Sequence, residues 1–137
     1  MSKRLIRFDF ALKTILRDKA NFDILEDFLS NLLRENITVI EILESESNHL
    51  ENQKFNRVDL KCKDDKGQII LIEVQNRYEL DYFERVLFGV SKTVTEHINP
   101  GDFYIQADKV ISISILYHTL VAKDNSGDFI YHGAFVL

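Results

Sequence analysis

Residues 55–76 read FNRVDLKCK, then DDKG, then QIILIEVQN. Two extended runs flank a turn, which is the pattern of a β-hairpin. A three-residue loop, Asp65-Lys66-Gly67, fits a type I turn with Gly67 in the left-handed position. That loop pairs Asp64 with Gln68. Counting outward, Asp59 lies opposite Glu73 and Arg57 opposite Gln75. Val58, Leu60, Cys62, Ile70, Ile72 and Val74 then share the other face, which is wholly apolar. A one-residue slip would mix carboxylates into that face, so the pattern supports this register. Directly opposed residues have Cβ atoms roughly 5 Å apart. Two carboxylates that close repel unless one is protonated or a cation sits between them. Asp59 and Glu73 are therefore either a solvated acid pair on the surface or the ligands of a metal ion, and the apolar run Ile69-Ile70-Leu71-Ile72 before Glu73 argues for an enclosed acid that wants a partner or a metal.

The rest of the chain fits one domain built around this hairpin. Its 137 residues are 45% hydrophobic and 28% charged, as in ordinary water-soluble globular proteins. Such a length buries a core without staples. One cysteine, Cys62, excludes an internal disulfide framework and suits a reducing compartment. The N-terminus does not resemble a signal peptide, and no run approaches the ~20 apolar residues of a membrane helix. The expected setting is cytoplasmic, with no membrane association. A net charge of −5 counts against a protein that simply coats phosphates. It does not exclude an enzyme that meets nucleic acid locally.

Upstream of the hairpin, residues 8–18 read as a short helix with Asp9 as N-cap or first-turn acid. Asn21 is the expected cap of a second helix ending near Leu33, with Ile24, Leu25, Phe28, Leu29 and Leu32 as its buried stripe. Residues 37–44 are rich in β-branched side chains and read as a strand, and polar residues 45–54 as a loop. Downstream, residues 79–98 form the clearest helix. Leu80, Phe83, Leu87, Val90, Val94 and Ile98 make its apolar stripe, and Pro100-Gly101 ends it. Residues 109–117 alternate as a further strand, and Asp128 to Leu137 read as a last one. The order α-α-β-β-β-α-β predicts an α/β fold with a mixed central sheet flanked by helices.

An acid in one strand, then Glu-x-Gln in the next, then a helix and a strand, resembles the PD-(D/E)xK nuclease core. Phe8-Asp9-Phe10-Ala11-Leu12-Lys13, Val58-Asp59-Leu60-Lys61, Ile72-Glu73-Val74-Gln75 and Gly101-Asp102-Phe103-Tyr104 follow in order. Together they resemble the transposase-like, recombination-promoting nuclease branch, over roughly Phe8 to Tyr117. The resemblance implies a restriction-endonuclease-like core and a metal-dependent DNA endonuclease tied to mobile elements or recombination. It makes Asp59, Glu73 and the Val74 carbonyl the metal ligands, and adds Asp9 to the site. Gln75 stands where many relatives carry a catalytic lysine, and Val58 where the motif has proline. Relatives commonly continue past residue 137, so the chain reads as a short or truncated member. Many such nucleases work as homodimers, so by analogy a homodimer is one state open to this chain.

A divalent ion held by carboxylates activates water and stabilises a leaving alkoxide. All-oxygen ligands favour Mg²⁺, with Mn²⁺ as substitute. Each remaining candidate also has a plainer reading. Lys13 contacts phosphate or is a solvated helix lysine. Arg57 flanks the substrate or forms a structural ion pair with Glu73. Arg85 reaches the substrate from the helix or stays on its surface, and Gln75 orients water or is a polar edge residue. The histidines lack zinc-like spacing, and the glycines are isolated. The alternative to an enzyme is a catalytically silent module that keeps the fold and binds DNA or protein.

Overall fold

The computed structural model describes residues 22–43, 60–75, 79–97, 101, 109–117, 130 and 133. These form an α/β layer structure. Helix α1 (Asp23–Leu33) precedes strands β1 (Val39–Leu43), β2 (Leu60–Asp64) and β3 (Ile69–Gln75). Helix α2 (Tyr82–Glu96) and strand β4 (Val110–Leu116) follow. The sheet runs in the order β1-β2-β3-β4. The first two pairings are antiparallel and β3–β4 is parallel. A parallel pair needs a long crossover, and α2 lies within it.

The hairpin adopts the register its turn predicts. Leu60 pairs with Ile72, Cys62 with Ile70 and Lys63 with Ile69. Gly67 has φ of 81°, a left-handed value that costs glycine little and other residues more. The turn closes through Gly67 N–H to the Asp64 carbonyl (3.2 Å) and Asp64 N–H to the Gln68 carbonyl (3.1 Å). The Asp64 side chain is fully buried within it. Its carboxylate accepts from Lys66 N (3.0 Å), Gln68 N (2.7 Å) and Gln68 Nε2 (2.6 Å). A buried carboxylate is tolerated because donors surround it.

Leu60, Cys62, Ile70 and Ile72 form one apolar face and pack with Leu25 and Leu29 of α1, together with Ile37, Val39 and Ile113. Burying each large aliphatic side chain stabilises by about 1.5–3 kcal/mol. Cys62 sits in this core, and burial, with the Asp64 charge adding to it, pushes its thiol up to about 12. Two side chains of α1 tie the start of β1 to the helix. Ser30 Oγ accepts from Ile37 N (2.9 Å) and Glu26 Oε1 from Val39 N (2.7 Å). Ile24, expected in the buried stripe, is exposed instead. The core reaches α1 along Leu25 and Leu29, leaving Ile24 at the margin.

The second helix departs further from expectation. Leu80, Phe83 and Leu87 lie on the outside, with Leu80 89% exposed. The side turned to the protein carries Tyr82, Arg85 and Thr93, with Tyr82 and Thr93 buried. The reason lies in the strand surface beneath. It presents Glu73 and Lys61, which engage Arg85 and Glu96 of α2. Polar helix residues satisfy those charges, and an apolar stripe would bury them unpaired. Ile98 and the expected segments at residues 8–18, 45–54 and 128–137 lie wholly or almost wholly outside the described residues. Among the described residues, no helix is long and apolar enough to cross a membrane.

Candidate active site

Glu73 is the fifth residue of β3, after four buried aliphatics, and points to the α2 side of the sheet. Its side chain is only 16% exposed. Arg85, in the first turn of α2, donates from Nη2 to Glu73 Oε1 at 2.6 Å. That distance is short for a charge-assisted hydrogen bond, and the guanidinium is as enclosed as its partner.

Three further groups complete the cluster. Glu79 lies just ahead of α2, with Oε2 3.4 Å from Arg85 Nε. The pair is close but not aligned as a hydrogen bond, since Nε has no such partner among the described residues. Glu79 Oε1 accepts from Gln75 Nε2 at 2.9 Å. The acceptor carboxylate settles which end of the Gln75 amide is which. The Arg85 guanidinium also lies over the Tyr82 ring, 5.2 Å from its centroid, in a cation–π arrangement. Burial pushes the Tyr82 phenol above its usual range, and the Glu73 charge adds to the rise. Ser114 on β4 and Arg85 pull partly the other way. The phenol oxygen is near Ser114, yet it makes no well-aligned hydrogen bond among the described residues.

The structure thus brings together Glu73, Gln75 and Arg85 of the sequence candidates, with Val74 between the first two. Asp59, Asp9, Lys13 and Arg57 lie outside the described residues. Arg85 forms the ion pair with Glu73 for which Arg57 was one candidate. Glu79 and Tyr82 are additions. Glu79 carried a faint signal: an acid four residues after Gln75, entering the helix that holds Arg85. The cluster of Glu73, Glu79 and Arg85 sums to one negative charge. Among the described residues no three His, Cys, Asp or Glu side chains form a metal cage. The donors present are hard oxygens with residual negative charge, which suits a hard divalent cation.

Residues 6–134 match the profile of the PD-(D/E)XK nuclease family transposases. The chain belongs to that family. No match to it was found among curated proteins or among solved structures. The mixed four-stranded sheet with flanking helices agrees with the restriction-endonuclease-like fold of PD-(D/E)XK proteins. Membership supports a nuclease- or transposase-like function with DNA as substrate. PD-(D/E)XK nucleases in general use divalent metals. In this family member the Glu-x-Lys element reads Glu73-Val74-Gln75.

Proposed function

We propose that the protein is a Mg²⁺-dependent DNA endonuclease serving mobile-element movement or recombination. The observation that carries this reading is the hairpin register at Leu60↔Ile72. Counted outward from the same turn, the sequence pattern expects Asp59 opposite Glu73, whose carboxylate is enclosed. These two acids, with the Val74 carbonyl, are the ligands in this reading, and Asp9 adds a further acid. A divalent ion there would lower the pKa of water and offset charge on the leaving oxygen.

The protein's own groups have defined tasks in the hydrolysis. Gln75, its Nε2 held by Glu79, offers Oε1 to accept from the attacking water and aim it. The water oxygen bonds to phosphorus and its proton passes to solvent, the bond from phosphorus to the sugar oxygen breaks, and the freed oxygen gains a proton from solvent. Lys13 contacts the phosphate, and Arg57 flanks the DNA. A second reading, a silent DNA- or protein-binding module, draws on Gln75 in the place of lysine.

Nicking of supercoiled plasmid with and without Mg²⁺ separates the two. Asp59→Ala and Glu73→Ala should each lower Mg²⁺-dependent nicking on the order of 100-fold or more. Both should also remove Mn²⁺ binding measured by calorimetry. Wild-type nicking by either folded variant would refute the endonuclease. Absence of Mn²⁺ binding dependent on these acids would favour the silent module.

A further inference from the structure

The cluster contains a strong positive charge that the Glu-x-Gln element itself lacks. We propose that Arg85 is a phosphate-facing cation of the site, in the role that a lysine two residues after Glu73 would fill. The proposal rests on the metal-dependent reading above, and four observations carry it.

First, the charge is in place. Arg85 Nη2 stands 2.6 Å from Glu73 Oε1, within one hydrogen bond of the carboxylate assigned to the metal. Second, the guanidinium has anchors besides Glu73. The Tyr82 ring lies beneath it at 5.2 Å and Glu79 Oε2 is 3.4 Å from Nε. Arg85 therefore stays at the site when the Glu73 carboxylate turns to another cation. Third, Gln75 is neutral, and its Nε2 donates to Glu79. It cannot supply charge to a phosphorane-like transition state. Fourth, among the described residues, the other two cations that meet α2 are committed elsewhere. Lys61 and Lys92 both pair with Glu96. Glu96 is eleven residues along α2 from Arg85, roughly 16 Å at the helical rise.

The chemistry suits arginine. Nη1 and Nη2 form a planar fork that matches two phosphate oxygens, and the group stays protonated throughout. Arg85 consequently neither takes the proton of the attacking water nor supplies one to the leaving oxygen. Its contribution is electrostatic, growing as charge gathers on the phosphoryl oxygens. In the absence of DNA the same guanidinium neutralises Glu73, so it competes with the divalent ion for that carboxylate.

This competition gives the test its opposing signs. Arg85→Gln keeps a hydrogen-bond donor toward Glu73 but removes the charge. Plasmid nicking should fall roughly 100-fold or more, while Mn²⁺ affinity by calorimetry should rise about tenfold. Arg85→Lys restores a point charge, and should recover at least about a tenth of wild-type nicking. Circular dichroism melting shows that each variant is folded. If Arg85 merely held Glu73 in position, Arg85→Gln would weaken Mn²⁺ binding, and that result overturns the proposal. So does Arg85→Gln nicking within about threefold of wild type, or Arg85→Lys as inactive as Arg85→Gln. Failure of the underlying reading looks different: the wild-type protein itself would neither nick nor bind Mn²⁺.

Discussion

Asp64 carries the turn that sets the hairpin register, so its removal tests the fold at its most specific point. Asp64→Ala deletes an acceptor shared by three donors. Lys66 N lies in an exposed turn and regains water, at a cost of about 0.5 kcal/mol. Gln68 N and Gln68 Nε2 are buried donors and lose their partner outright. Each orphaned buried donor costs about 1–3 kcal/mol. Relief from burying a carboxylate returns part of this. The net expectation is about 3 kcal/mol, against a total of about 5–15 kcal/mol for a typical domain. At about 2–4 °C per kcal/mol, Tm should fall by about 10 °C. Asp64→Asn retains one acceptor and should cost about half as much. The double variant Asp64→Ala/Gln68→Leu leaves one orphan donor fewer, and should recover about 1 kcal/mol relative to Asp64→Ala. Urea unfolding followed by circular dichroism measures all three. An Asp64→Ala loss below about 1 kcal/mol, with no recovery in the double variant, would refute this reasoning.

Two other outcomes follow from the core. Leu29→Ala, at a fully buried site in the α1 contact with the sheet, should cost about 2–5 kcal/mol in urea unfolding, whereas Ile24→Ala on the exposed side should cost under about 1 kcal/mol. Cys62 should resist alkylation at pH 8 until the protein unfolds, because its folded thiol is pushed up to about 12. Between pH 9 and 12 the unfolded thiol ionises first, so the unfolded state binds fewer protons and stability falls as pH rises. The slope from this residue is about 1.4 kcal/mol per pH unit, and Cys62→Ala should remove it from the alkaline unfolding curve.

The hairpin was legible because two independent local rules agree there. Gly67 suits a left-handed turn position, and the alternation of Leu60, Cys62, Ile70 and Ile72 admits one register. The face of α2 was not legible from periodicity. Leu80, Phe83 and Leu87 repeat at helical spacing, as do the inward Tyr82, Arg85 and Thr93. Hydropathy favours the first set, while the Glu73 and Lys61 charges on the sheet select the second. That selection is a tertiary effect, invisible until helix and strands are placed together. For the same reason Arg85 stood among the candidates while its pairing with Glu73 did not. Glu79 precedes the helix and belongs to no periodic pattern, so its spacing from Gln75 was a faint signal that its contacts with Gln75 and Arg85 make plain.

The parallel pairing of β3 with β4 also bears on how the chain folds during synthesis. β2 and β3 meet through a turn of a few residues, so their contact closes quickly. Ile69 meets Val110 only after the whole crossover has been made, at a larger entropic cost of closure. Until then one edge of β3, aliphatic at five of its seven positions, lacks its neighbour. Such an edge is a template for pairing with other chains. β4 is therefore a guard as well as a strand: a nascent chain stalled before Val110 carries the carboxylate-bearing hairpin with its stickiest border uncovered, and its arrival seals that border.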